Sequence, residues 1–212
     1  MQTEIDLTQF SYEELANALY RKGKAAGFHK ITDKTKWREP VMADKLGHQA
    51  FTKISAGKDS DKYGADAEIT GTGKKAEYKS KALEDGNLRN LLQLPKGKKG
   101  KTFAPLTVGG VYNGAYSHAA VDRYSDHEHY FGLFYEELCV LIIQVKKAEV
   151  ERQLREEIDR REASTKKGST NLNTVSINLD HAHLYEVAYK NERWFQEKTQ
   201  ELLLKNPKRK PA

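Results

Sequence analysis

Ser11 and Glu14 stand in capping-box spacing, and Leu15, Ala18 and Leu19 recur behind them at helical intervals. That pattern predicts a helix over residues 11–26, ending near Gly27. Pro40 suits the first turn of a second helix, predicted over 40–51, with Val41, Leu46 and Ala50 facing inward. Residues 63–81 alternate around a Gly-rich turn and predict a hairpin; residues 83–94 predict a short helix stopped by Pro95. The Gly-rich stretch TVGGVYNGAY has no clear period. HYFGLFY (129–135) and LCVLIIQV (138–145) predict strands, the second apolar enough for the interior of a sheet.

Lys147 opens a highly charged helix, predicted to run to about Arg161, with Val150, Leu154 and Ile158 as a narrow apolar stripe. The polar run STKKGSTNLN follows. Residues 174–179 then alternate cleanly as a strand, and 184–189 predict another. A final amphipathic helix carries Trp194 and Leu202 to Leu204 and precedes a basic tail, 205–212. A helical start, a mainly β centre and surrounding helices predict an α/β (or α+β) fold, a central mixed sheet flanked by helices, as one domain over 1–212.

Composition narrows the functional classes. With 38% apolar and 31% charged residues in 212, the chain can bury a core beneath a polar surface. No apolar run approaches the ~18 residues of a membrane span, and the first residues lack the basic-then-apolar order of a signal peptide, so a cytoplasmic protein is expected. The single cysteine, Cys139, rules out an intrachain disulfide and a Cys-rich zinc site, and its apolar neighbours place it in packing. Lysines cluster in KGKKGK (96–101), at Lys166-Lys167 and in the tail KNPKRK, within a net charge of +6. Three basic clusters around an acidic constellation favour a nucleic-acid partner.

That constellation lies in the hairpin. A turn at Gly71-Thr72 pairs Asp66 with Glu77; a turn at Thr72-Gly73 pairs Asp66 with Lys79 and Glu68 with Glu77. Both put the acids and the lysine on one face, whereas a one-residue slip would turn Asp66 away. Two facing carboxylates repel, and a divalent cation between them removes the repulsion. A lysine beside them can orient water or stabilise a phosphorane. The same residues would equally suit a solvent-facing hairpin stitched by Lys–Glu pairs.

With Gly64-Ala65-Asp66 and Glu77-Tyr78-Lys79, the segment resembles the PD-(D/E)XK nuclease superfamily, its type II restriction endonuclease branch in particular. The resemblance implies a core over about 38–145, with C-terminal recognition or dimerisation elements over about 146–204. It implies Asp66 and Glu77 as Mg²⁺ ligands and Lys79 as the catalytic lysine. It also implies an extra acid, with Glu39, Asp44 and Glu68 as candidates, and double-stranded DNA cut site-specifically by a homodimer. The chain has no Pro directly before Asp66, a departure from the motif. The alternatives are a structure-specific repair or phage nuclease of the same fold, or a non-catalytic basic DNA- or RNA-binding module.

Two histidine pairs, His127/His129 and His181/His183, have i,i+2 spacing that would let each chelate zinc from a strand, though ordinary surface or core packing is the favoured reading of both. No G-x-S-x-G or P-loop spacing occurs. For DNA contact, Lys98 and Lys99 suit phosphates. In the loop before the 174–179 strand, Lys166 and Lys167 suit phosphates, while Ser169, Thr170, Asn171 and Asn173 suit base edges.

Overall fold

The structure, a computed structural model, describes residues 6–25, 34–50, 65–94, 106–163 and 173–205. Within these, six α-helices surround a six-stranded mixed sheet and a separate two-stranded ribbon. The sheet strands are β1 (Gln49–Ala50), β2 (Ala67–Glu68), β3 (Lys75–Ala82), β5 (His127–Tyr135), β6 (Leu138–Val145) and β8 (Tyr185–Lys190), in the order β1-β2-β3-β5-β6-β8. Only the β3–β5 pairing is parallel. The ribbon pairs β4 (Thr107–Val111) with β7 (Thr174–Asn178).

Helices α1 (Tyr12–Ala25) and α2 (Lys34–Leu46) cover one face of the sheet. The predicted capping box forms: the Ser11 backbone amide donates to Glu14 Oε2 at 2.8 Å, and the Glu14 amide donates to Ser11 Oγ at 3.3 Å. Val41 and Met42 of α2 pack against Ala76, Tyr78, Tyr130, Phe134 and Cys139 of the sheet. Gly132 is what lets α2 come so close, since a Cβ there would stand 2.7 Å from Met42 Sδ. Burial pushes the Cys139 thiol up from its ordinary value, as its role in packing requires.

The opposite face carries the β4–β7 ribbon with α3 (Asp85–Leu91), α4 (His118–Val121), α5 (Lys147–Glu162) and α6 (Glu192–Leu204). Val150, Leu154 and Ile158 are fully buried in that layer, so the stripe of α5 serves its own core and not a dimer interface. β5 and β6 are covered on both faces, which explains their continuous apolar sequence. No helix among the described residues is long and apolar enough to cross a membrane.

Two expected helices need correction. Pro40 lies inside α2, which already begins at Lys34, and the helix stops at Leu46 instead of reaching residue 51. The stop is Gly47 at φ 66, with His48 N–H bonded back to the Ala43 carbonyl at 2.8 Å. This left-handed glycine cap frees Gln49–Ala50 to pair as β1. The 83–94 helix shortens to α3 and ends well before Pro95, with Gln93 at φ 52 just beyond it.

Candidate active site

The observed hairpin register pairs Ala67 with Ala76 and Glu68 with Lys75, which sets Asp66 opposite Glu77. β2 is short, and Asp66 extends its pairing in two ways. Its backbone amide donates to the Ala76 carbonyl at 2.9 Å, and its Oδ2 accepts from the Tyr78 amide at 2.6 Å. The carboxylate is thus fixed to β3 beside Glu77 by a hydrogen bond that a slipped register would lose.

Along β3, Ala76 and Tyr78 face α2 while Glu77 and Lys79 face the ribbon. Glu77 is 6% exposed. Lys79 Nζ donates to Glu77 Oε1 and also lies 4.7 Å from the centre of the Tyr112 ring. Asp66, Glu77 and Lys79 therefore meet on one face, with both charges of the Glu77–Lys79 pair largely withdrawn from water.

The electrostatics are those of an incompletely neutralised acid pair. Burial, then the negative charge of Glu77, pushes Asp66 up to about 8; Lys79 opposes the shift and Glu39 adds to it. Of the candidate extra acids, α2 thus brings Glu39 into electrostatic range of Asp66, while Asp44 is exposed on the same helix. Glu68 pairs with Lys75 in the hairpin and with Gln49 in β1.

Parallel pairing places His129 beside Glu77 and His127 beside Lys75, both buried on the ribbon-facing side. His129 Nδ1 is hydrogen-bonded to Tyr112 Oη at 3.0 Å. Burial, with the neighbouring His127 and Lys79, pushes His129 down to about 3, so this ring is neutral at physiological pH. His127 Nδ1 stands 3.9 Å from Glu77 Oε2. His181 and His183, in contrast, are exposed around a 3₁₀ turn and not on a strand.

Asp66 and Glu77 offer the hard oxygen donors that Mg²⁺ takes, and their residual charge suits a dication. Among the described residues, no three His, Cys, Asp or Glu side chains are gathered as a ready metal cage. A two-carboxylate Mg²⁺ site completed by water and phosphate does not require one.

The proposed DNA-contacting residues divide differently. Lys98, Lys99, Lys166, Lys167, Ser169, Thr170 and Asn171 lie outside the described residues, as does Gly64. Asn173 is described, and it corrects the reading: its side chain is wholly buried rather than offered to base edges. The Tyr112 amide donates to its carbonyl at 2.8 Å, holding residue 173 in line with the ribbon. Tyr112, under the Lys79 ammonium, and Gly110, packed against the Lys79 side chain, have no sequence signal, because nothing near them in the chain indicates that β4 returns over Lys79. No protein-family model matches the chain, and no curated protein matches it in sequence.

Proposed function

We propose that this chain is a Mg²⁺-dependent endonuclease that hydrolyses phosphodiester bonds in double-stranded DNA, working site-specifically as type II restriction enzymes do. One observation carries the reading: the β2–β3 register sets Asp66 across from Glu77, with Lys79 on the same face. Asp66 and Glu77 would hold the ion. When bound, it supplies neutralisation of the scissile phosphate and a lowered pKa for bound water.

The chain's own groups supply the rest. The Tyr78 amide holds the Asp66 carboxylate against β3. Glu77 and the Tyr112 ring hold the Lys79 ammonium, whose three donors suit a phosphate oxygen or an attacking water. Glu39 adds negative charge at the edge of the site. Cutting both strands of a palindromic site is met most simply by a two-fold homodimer, one site per strand. The basic residues 96–101 and 166–167 would bind phosphates, and Asn171 with Ser169 and Thr170 would read bases.

A second reading has an observation behind it. The Lys79–Glu77 pair is also what a purely structural ion pair looks like, as in a non-catalytic nucleic-acid-binding module. Incubating purified protein with plasmid and phage DNA in Mg²⁺ separates the two. Discrete fragments are expected; a smear points to a structure-specific nuclease, and binding without cleavage over many substrates overturns the enzymatic reading. Sedimentation with and without DNA tests the dimer.

A further inference from the structure

Within the ribbon-facing layer, His127 is 4% exposed, and its Nδ1 is buried with no hydrogen-bond partner. Buried polar atoms in folded proteins are nearly always satisfied, so such an atom marks a position that something else fills. The neighbour at hand is Glu77 Oε2, 3.9 Å away. Glu77 Oε1 is taken by Lys79, which leaves Oε2 as the carboxylate oxygen turned toward His127.

Two ligand atoms on one small divalent ion stand roughly 3.0–3.4 Å apart, from metal–ligand distances near 2.0–2.1 Å. The 3.9 Å between His127 Nδ1 and Glu77 Oε2 is wider than that, so a bound ion would have to draw the two side chains together. We propose that His127 Nδ1 is a nitrogen ligand of the divalent ion held by Glu77 and Asp66, giving a mixed imidazole–carboxylate site. This rests on the nuclease reading of those two acids.

The position of His127 favours that role over simple packing. Strand pairing with Lys75 fixes its backbone, and the Tyr124 ring meets it edge-on with centroids 5.7 Å apart, holding the imidazole plane. His129, one pair along β5, gives its Nδ1 to Tyr112 and keeps a buried Nε2 without a partner, so what sets His127 apart is that its unpartnered nitrogen faces a Glu77 oxygen. An imidazole donor shifts preference from Mg²⁺ toward first-row transition-metal dications, least for Mn²⁺ and more for those later in the series.

The test is binding of Mn²⁺ alone to the DNA-free protein. In wild type, Mn²⁺ should broaden the His127 imidazole NMR signals far more than those of the exposed His181 and His183. By calorimetry, His127→Asn should weaken Mn²⁺ binding about tenfold or more and Mg²⁺ binding much less, with folding checked by thermal denaturation. Unbroadened His127 signals, or unchanged Mn²⁺ affinity in His127→Asn while Asp66→Asn and Glu77→Gln lose it, overturns the histidine ligand and leaves the carboxylate site standing. If the two acid variants also bind Mn²⁺ as wild type does, the metal assignment itself falls and this inference with it.

Discussion

Gly110 of β4 stands directly against the side chain of Lys79 in β3: a Cβ at 110 would lie 2.7 Å from both Lys79 Cβ and Cγ and 2.6 Å from Cδ. The crowding falls at the root of the lysine, which is anchored to its strand and cannot swing aside. Gly110→Ala must therefore part the ribbon from the sheet or displace Lys79. Overpacking of this kind costs about 1–3 kcal/mol of stability. A displaced ammonium should also slow DNA cleavage, by roughly 10²-fold for a shift near 1 Å. Urea denaturation and single-turnover cleavage of the variant check both; wild-type values in each would mean the ribbon yields freely.

Asp66 sets a pH dependence for the metal-free protein. Its carboxyl is raised from 3.8 to about 8 on folding, so between those values the folded state holds more protons than the unfolded one. Stability from this group is thus present at low pH and lost as pH rises through that window. Denaturation at pH 5 and pH 8 should show the fall in wild type and a smaller one in Asp66→Asn. Mg²⁺ added at pH 8 should restore stability in wild type and not in the variant.

The three site residues should separate by role. Asp66→Asn and Glu77→Gln are expected to lose cleavage while retaining DNA binding in a gel-shift assay. Lys79→Ala is expected to lose rate, on the order of 10²-fold or more for a preorganised charge at the reacting phosphate, with metal affinity changed less. Normal cleavage by all three variants would make the hairpin merely structural.

The stripe of α5 should behave as core. Leu154 is fully buried among residues of the ribbon-side layer, so Leu154→Ala should cost about 2–5 kcal/mol. The denaturation midpoint should not depend on protein concentration through this residue. A change in association state without loss of stability would instead place the stripe at an interface.

Much of the architecture was legible in local pattern, since a helix or strand that buries one side must repeat apolar residues at its own period. The α5 stripe, the alternation in β7, the apolar run of β6 and the Ser11–Glu14 cap all appear where their residues predict. That Asp66, Glu77 and Lys79 share one face was equally readable, because alternation confines their possible pairings to a few registers. What local pattern left open was the choice among them. The 66–77 register follows from the Tyr78 amide bonding Asp66 Oδ2, a contact twelve residues distant in sequence. The α2 boundaries also escaped, because Gly47 ends the helix through a left-handed cap while the apolar spacing runs on to Ala50.

Long-range packing decided the rest. Parallel pairing with β5 brought His127 and His129 beside Glu77, and the return of β4 laid Gly110 and Tyr112 over Lys79. Glu39 rather than Asp44 came near Asp66 through the rotation of α2 on the sheet, and Asn173 was drawn inward by its pairing with Tyr112. None of these contacts has a sequence period. They arise from burying two faces of one sheet at once, a global condition that no local window of the chain contains.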